Sequence, residues 1–303
     1  MTMTDVVFRS WEFSAGVVIP IEICAVIYLR GWLRMHRRAP EHFGFAQLTA
    51  FFAGLITLVI AFCSPVHAFA GWLLTVHMIQ HLLLMMVAPP LILWGAPYLP
   101  LLSGLPRYIA IKGVGPLLSF PVLRNVARFI SHPIFCWSAF ISATLTWHVP
   151  VFYELALRSP SWHEVEHVSF LSAALLFWWP VIQPYPWRTR TPRWLVLPYL
   201  FLADIQNTAL SAFLIFCERV LYPTYAAIPR ITNLTPLEDQ AAAGAMMWVI
   251  GSIFFLVPVG LITIDLLSTR TIIVPSARKR PNARILSVSS VDEEPKLCVN
   301  LRL

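Results

Sequence analysis

The sequence predicts an all-α, polytopic membrane protein with seven transmembrane helices, and three observations lead to this prediction. Of the 303 residues, 58% are hydrophobic and 12% are charged, against about 25% charged in an ordinary soluble domain. Seven apolar runs are each long enough to cross a hydrocarbon core of roughly 30 Å. Lysine and arginine concentrate in alternate connecting segments. A soluble fold is excluded, because the chain has too few charged residues to coat a water-facing surface.

The seven predicted spans follow one another with short connections. They cover residues 13–34, 44–63, 72–97, 129–148, 163–183, 194–217 and 240–267. The first run is expected to remain as a helix rather than act as a cleavable signal peptide, because its arginines follow the apolar stretch and Glu22 interrupts it. In the third run, Pro89 and Pro90 each lack a backbone N–H, which predicts a break in the helix. We assign residues 1–275 to one transmembrane domain and predict a disordered cytoplasmic tail over 276–303, which is polar and lacks helical periodicity.

The distribution of basic residues predicts the orientation of the chain. The segments after the first, third and fifth spans, together with the tail, hold 18 of the 22 lysines and arginines, and the opposite segments hold 4. Because cytoplasmic loops carry the excess of basic residues, the amino terminus is predicted outside and the carboxyl terminus in the cytoplasm. The net charge of +7 is therefore interpreted as a topology signal. No nucleic-acid partner is expected, since no basic stripe lies on a soluble module.

In this orientation, six of the nine histidines fall in outer loops or in the outer thirds of spans. They are His67, His77, His81, His148, His163 and His167. Two pairs have the spacing i, i+4, which places both imidazoles of a pair on one helix face. Ionisable residues inside a membrane are costly and by default mark function. The sequence therefore predicts a metal site on the outer side, with the following ligands: His77, His81, His148, His163 and His167.

Other side chains near these histidines are candidates to orient the imidazoles or to add a ligand. They are Glu164, Glu166, Asp239, Gln240, Met246 and Met247. Imidazole suits copper, zinc or iron, and the thioethers of the third and seventh spans favour copper. The opposing interpretation is that a methionine at helical spacing fills the core and that a single histidine near the interface only packs. A metal site is predicted because two histidine pairs occur in one leaflet, and copper is the predicted metal because thioethers lie near them.

Three other functions remain open at this stage. A b-type haem is the main alternative, with its histidines drawn from two spans, because an i, i+4 pair cannot supply both axial ligands. A metal transporter would need polar residues through the full depth of the membrane, and the inner halves hold little beyond Asp204, Asn207 and Asp265. A seven-span receptor fits the topology but leaves the histidines unexplained. No catalytic residues are assigned, and no zinc protease is expected from the segment between His163 and His167.

Five blocks of this sequence, in order over about residues 65–250, resemble the CtaG-like cytochrome c oxidase assembly factors, which are seven-span bacterial membrane proteins. The blocks are His77-Met78-Ile79-Gln80-His81 with Ala88-Pro89-Pro90 and Gly95-Ala96-Pro97; Trp147-His148-Val149-Pro150 with Tyr153; Trp162-His163 and Glu166-His167 with Phe177-Trp178-Trp179-Pro180; Tyr222-Pro223-Thr224-Tyr225; and Asp239-Gln240 with Met247-Trp248. The resemblance implies a part in building haem–copper oxidase in the bacterial inner membrane. It also implies copper handling, with the oxidase catalytic subunit or other assembly factors as partners.

Overall fold

The computed structural model describes residues 9–186 and 192–271, and within these ranges every regular element is a helix. This confirms the all-α prediction. Six helices are long and apolar enough to cross a membrane, and the number is seven if one bent pair counts as a single span. The predicted disordered tail, 276–303, lies outside the described residues. The orientation of the termini stays a prediction.

The α-helices are numbered in chain order. They are α1 (Ala15–His36), α2 (Phe45–Cys63), α3 (Pro65–Ala70), α4 (Leu74–Leu82), α5 (Ala88–Trp94), α6 (Tyr98–Gly104), α7 (Gly115–Ser119), α8 (Pro121–Ile130), α9 (Pro133–His148), α10 (Pro150–Arg158), α11 (Pro160–Ile182), α12 (Val196–Phe216), α13 (Pro223–Ala227) and α14 (Pro236–Thr271). Two π-helical segments, Leu83–Val87 and Ile109–Val114, and a 3₁₀ turn, Arg193–Leu195, complete the described elements.

The third span combines α4, a π-helical turn and α5 into one stretch, Leu74–Trp94. The predicted break occurs here as the π-helical turn Leu83–Val87, directly before Pro89 and Pro90. Pro89 has no N–H to donate to the carbonyl four residues earlier, that of Met85. The indole Nε1 of Trp178 on α11 donates to this carbonyl instead, over 2.9 Å. The proline thus creates an acceptor that ties the third span to α11.

The fourth predicted span, 129–148, is shorter in the structure. The helix α9 begins at Pro133, and α8 ends at Ile130 and is inclined to α9 by 63°. At 1.5 Å per residue the 16 residues of α9 extend only about 24 Å, less than the thickness of a hydrocarbon core. The apolar residue Phe129, which the prediction counted in the span, belongs to α8 and is exposed.

Glycines allow α1 and α6 to approach more closely than any other side chain would permit. A Cβ atom on Gly31 would lie 1.7 Å from the carbonyl oxygen of Pro100, and one on Gly104 would lie 1.8 Å from that of Ile27. Both neighbours are backbone atoms, so neither can move without displacing a helix. The packing of α1 against α6 therefore depends on these two positions.

We expect Gly31→Ala to lower the stability of the protein by about 3 kcal/mol, the upper end of the usual cost of overpacking. The measurement is thermal unfolding of the purified protein in detergent. The control is Gly260→Ala on α14, where nothing lies within 4 Å of the added Cβ. It is expected to leave the midpoint unchanged or slightly higher, because alanine is the better helix former. Equal midpoints for the two variants would contradict the close approach.

Candidate metal centre

Two helices bring three histidines and one glutamate together at one end of the bundle. His77 lies on α4, and His163, Glu166 and His167 lie on α11. One ligand atom from each of these residues lies within 4.8 Å of the other three. The spacing i, i+3, i+4 on α11 places its three side chains on one helix face. All four positions are near the starts of their helices, so the cluster forms where α4 and α11 begin side by side. We call these four residues the His–Glu cluster.

The His–Glu cluster is buried, and its polar atoms lack partners. Glu166 is 0% exposed, His77 1% and His167 4%. The Nε2 atoms of the three histidines and both carboxylate oxygens of Glu166 make no hydrogen bond with any described residue. Buried polar groups are almost always paired, and each exception needs an explanation. A bound cation would satisfy all five atoms at once.

His81 flanks the His–Glu cluster. Its Nε2 is 3.7 Å from Glu166 Oε1, and the Nε2 of His77 is 3.9 Å from Glu166 Oε2. The carboxylate therefore faces both histidines of α4. Among the described residues, neither ring nitrogen of His81 has a hydrogen-bond partner. His81 is thus a further donor at the edge of the cluster.

A hydrogen bond from outside the cluster sets the tautomer of His77. The Tyr225 hydroxyl donates to the Ala70 carbonyl over 2.9 Å, and the Nδ1 of His77 lies 2.8 Å from the same hydroxyl. Because that hydroxyl proton is already used, His77 Nδ1–H must donate, and Nε2 keeps its lone pair toward Glu166. Burial raises the pKa of Tyr225, so the phenol stays protonated. This is the arrangement that orients a metal-binding imidazole.

A second support holds His67 behind the cluster. The amide Nε2 of Gln80 donates to the carbonyl of Ala61 over 2.8 Å and to Nδ1 of His67 over 3.0 Å. His67 therefore accepts at Nδ1, and burial lowers its pKa, although Glu12 acts in the opposite sense. Its ring stacks on that of His163, with centroids 6.1 Å apart. The neutral ring of His67 thus packs beside the cluster without adding positive charge.

Asp239 and Gln240 support the backbone around the centre rather than the histidines themselves. Asp239, at the start of α14, accepts from the backbone N–H of Leu74 over 2.9 Å and from that of Thr75 over 3.2 Å. It therefore caps the start of α4 from another helix. Gln240 accepts from the N–H of Leu221 and donates to the carbonyls of Leu214 and Arg219. Among the described residues, neither Asp239 nor Gln240 forms a hydrogen bond or an ion pair with an imidazole.

The remaining predicted residues lie in three different places. His148 lies outside the His–Glu cluster and lines a neighbouring cavity with His81 and Met247. Met246 is partly buried and packs against the apolar core. Glu164 is exposed, whereas Glu166, two residues later, is buried among the ligand atoms. Glu166 was expected to orient the imidazoles or to add a ligand, and the structure places its carboxylate beside them in the His–Glu cluster.

The residues His163-Glu164-Val165-Glu166-His167 have the order H-E-x-x-H of zinc metalloproteases. The expectation of no zinc protease therefore has no support from residue order. In such enzymes the glutamate after the first histidine acts as general base on the metal-bound water. Here that glutamate, Glu164, is exposed and outside the His–Glu cluster. The placement of Glu164, and not the motif, argues against proteolysis.

Two supporting residues, Gln80 and Tyr225, were not among the predicted site residues. Both occur in the blocks that carry the family resemblance, Gln80 between the two histidines of α4 and Tyr225 at the end of its block. Residue spacing carries no signal for Tyr225, because it is 148 residues from His77. It carries none for Gln80 either. Membership of these blocks was the only available signal.

We expect Tyr225→Phe to lower the metal affinity of the cluster by about 10- to 100-fold, the usual cost of removing a group that orients a ligand. The measurement is competition with a chromophoric chelator. Tyr222→Phe is the matched control, because the Tyr222 hydroxyl donates to the backbone carbonyl of His148 and not to an imidazole. It should cost similar stability and leave the affinity unchanged. Equal affinities for the two variants would contradict the role of Tyr225.

Comparison with known proteins places the chain among oxidase assembly factors. The family model described as cytochrome c oxidase caa3 assembly factor (Caa3_CtaG) matches residues 26–269. An uncharacterized protein of Mycobacterium leprae is 26% identical over 251 residues, which are 80% of this chain and 37% of that relative. Uncharacterized proteins of Mycobacterium bovis and Mycobacterium tuberculosis are each 27% identical over 190 residues, 61% of this chain and 28% of theirs.

The chain spans about a third of the length of the curated relatives it matches. No solved structure matches it. The family match begins within α1 and ends within the last turn of α14, and so includes every residue of the His–Glu cluster. It covers well over half of the sequence, and the chain therefore belongs to the cytochrome c oxidase caa3 assembly factor family.

Proposed function

We propose that this protein is an integral membrane assembly factor for haem–copper cytochrome c oxidase and that it binds copper at the His–Glu cluster. The single observation that carries the proposal is the meeting of four ligand atoms within 4.8 Å at the start of two helices. The partners are the oxidase catalytic subunit or other assembly factors. The membrane is the bacterial inner membrane, and the positive-inside rule assigns the cluster to the periplasmic side.

The electrostatics of the His–Glu cluster favour a bound cation. A buried, ionised carboxylate without a donor is expensive, and Glu166 is fully buried with no hydrogen-bond partner among the described residues. Ligand atoms about 2.0–2.1 Å from a tetrahedral ion are about 3.3 Å apart. The observed separations between ligand atoms are up to 4.8 Å. Small rotations of the side chains on α4 and α11 are enough to bring these atoms to the shorter distance. Imidazole and carboxylate donors suit a copper ion.

A bare ion fits this cluster better than haem does. A porphyrin plane between two axial histidines needs space on every side of the iron. Here the Glu166 carboxylate lies 3.7–3.9 Å from the Nε2 atoms of His77 and His81. The ring of His163 is also close to that of His77, with centroids 5.3 Å apart. Haem remains the alternative cofactor, and its Soret band distinguishes it from copper in one spectrum.

The test is copper content together with oxidase assembly. We expect the full-length protein, purified in detergent and loaded with copper, to retain the metal and to show no Soret band. We expect the double variant His77→Ala/His163→Ala to lose most of this copper. A strain carrying this variant as its only copy should lose most of its cytochrome c oxidase activity.

His132→Ala is the control, because His132 is exposed and lies at the end of α9 opposite His148. This variant should retain copper and support oxidase assembly. The proposal fails if the wild-type protein retains no copper after loading, or if the double variant supports full oxidase activity. A co-purifying Soret band that depends on His77 would favour haem.

A further inference from the structure

A cavity of about 30 Å³ lies beside the His–Glu cluster, among the third span, α9, α12 and α14. That volume holds one ion or one water molecule. Four of the chain's eight methionines line it: Met78, Met85, Met86 and Met247. All four are at most 6% exposed. We call this space the methionine cavity.

His148 presents an unpaired nitrogen in the lining of this cavity. Its Nδ1 lies 2.7 Å from the carbonyl oxygen of Thr144, and because a carbonyl only accepts, Nδ1 must carry the proton. The Nε2 atom therefore has a free lone pair. It is buried and has no hydrogen-bond partner among the described residues. The lining thus combines soft thioethers with an imidazole that is ready to bind a metal.

His81 belongs to both sites. It lines the methionine cavity, and its Nε2 is 3.7 Å from Glu166 in the His–Glu cluster. Its two nitrogens are buried and unpaired within the described part of the chain. Met78, His81 and Met85 follow the spacing i, i+3, i+7, which aligns them along one face of the third span. The two sites are therefore neighbours that share an imidazole.

The ordinary explanation for clustered methionines is core filling, because methionine adapts to irregular gaps. A filled core leaves no cavity, however, and it does not leave the Nε2 lone pair of His148 without a hydrogen-bond partner among the described residues. Thioether and imidazole together select Cu(I) among the first-row metals. An uncharged cavity of this kind also suits a monovalent ion better than a divalent one, since the cost of burying charge rises with the charge.

We propose that the methionine cavity is a second copper site, specific for Cu(I), that receives or releases the ion through His81. This inference rests on the proposed copper function and extends it from one site to two. The ion moves as Cu(I) in both sites, so the transfer requires no oxidant or reductant. Met78, Met85, Met86, Met247 and His148 are the candidate ligands of the second site.

The test uses the full-length protein in detergent, loaded anaerobically with Cu(I). We expect two equivalents of copper, with copper–sulfur scattering in the X-ray absorption spectrum. The variant Met85→Leu/Met86→Leu/Met247→Leu, which keeps only Met78 of the four lining methionines, should bind less copper than the wild-type protein and lose most of the sulfur scattering. Leucine conserves the volume of methionine and usually costs less than about 1.5 kcal/mol per site. Met246→Leu, outside the cavity lining, is the matched control and should keep both equivalents.

Each outcome separates the two proposals. One equivalent in the wild-type protein, without sulfur scattering, would overturn the second site and leave the His–Glu cluster as the copper site. Sulfur scattering that is as strong in the triple variant as in the wild-type protein would also overturn it. No copper in the wild-type protein would overturn both proposals. If the triple variant does not fold, the wild-type spectrum and the single variant Met247→Leu decide the question.

Discussion

Replacing Glu166 by glutamine is expected to lower the copper affinity of the protein at least 100-fold and to raise the stability of the metal-free form. Glutamine has nearly the same shape but no charge. The loss of affinity follows because Glu166 supplies the only negative charge of the His–Glu cluster. Removing a group that only orients a ligand already lowers metal affinity by about 10- to 100-fold. Removing a ligand itself should lower the affinity further.

The gain in stability has a separate cause. In the metal-free protein the Glu166 carboxylate is fully buried, and neither oxygen has a hydrogen-bond partner among the described residues. Burying a carboxyl group without a partner is more expensive than burying a neutral amide, because the carboxyl group must either keep an unpaired charge or take up a proton. If Glu166 were kept only for stability, its replacement would lower the stability of the metal-free protein instead of raising it. The two effects together therefore identify Glu166 as a group retained for binding.

The measurement is thermal unfolding of the wild-type protein and of the variant, each with and without copper. Copper should raise the unfolding midpoint of the wild-type protein, because a ligand that binds only the folded state stabilises it. The same addition should raise the midpoint of Glu166→Gln much less, because the His–Glu cluster of this variant binds copper weakly. Glu164→Gln is the matched control on the same helix, since Glu164 is exposed and outside the cluster. A metal-free midpoint lower for Glu166→Gln than for Glu164→Gln would contradict the argument.

The helical spans could be predicted because lipid imposes a simple requirement on the chain. Runs of about 20 apolar residues are visible without any knowledge of packing, and six of the seven predicted runs occur as candidate membrane-spanning helices. The exception, 129–148, has apolar residues on both sides of its break. Composition does not distinguish a straight helix from the bend before Pro133, because Phe129 on α8 is as apolar as the residues of α9.

The site was predictable only as far as local spacing reaches. The i, i+4 pairs and the orientation brought His77, His81, His163 and His167 to one end of the bundle, and the structure places all four there. Spacing within α11 places Glu166 on the same face as His163 and His167, but it does not determine whether that face is turned toward α4, because that depends on the rotation of the helix. The contact of Tyr225 with His77 depends on the fold of the whole chain, so spacing does not reveal it.

The separation of His148 from the His–Glu cluster has a physical cause that sequence could not reveal. His148 ends α9, and its Nδ1 is bound to the Thr144 carbonyl of the same helix. This bond directs the ring along α9 and toward the methionine cavity. The sequence shows only that His148 ends the fourth predicted span, on the same predicted side as the other four candidate histidine ligands. The direction of its ring depends on one hydrogen bond, which the sequence does not show.

Asp239→Asn is expected to have the second large effect, although Asp239 lies outside the His–Glu cluster. Its carboxylate is fully buried and accepts from the N–H groups of Leu74 and Thr75 and from the Thr75 hydroxyl, the last over 2.6 Å. The first N–H groups of a helix have no partner within the helix. Asparagine would turn an NH₂ group toward at least one of these donors. We expect a loss of about 2–4 kcal/mol, since each buried donor left unpaired costs about 1–3 kcal/mol.

The effect of Asp239→Asn should extend to the metal centre through two routes. His77 lies in the first turn of α4, which Asp239 caps. Asp239 also lies 3.9 Å from Nη2 of Arg230, whose Nη1 donates to the carbonyl of Tyr225. Both His77 and its hydrogen-bond partner Tyr225 therefore depend on this carboxylate. We expect copper affinity to fall about 10-fold or more, as for other groups that orient a ligand.

Hydrogen exchange and copper binding together test this prediction, with Glu238→Gln as the control. Glu238 precedes Asp239 on α14 but is exposed and bonds only to Thr235 in the described contacts. In Asp239→Asn, the amides of Leu74 and Thr75 should exchange faster than in the wild-type protein, because they have lost their acceptor. The X-ray absorption spectrum of the copper that still binds should show an unchanged ligand set. A changed ligand set would mean that Asp239 itself binds the metal, and unchanged exchange at both amides would mean that the cap contributes nothing to α4.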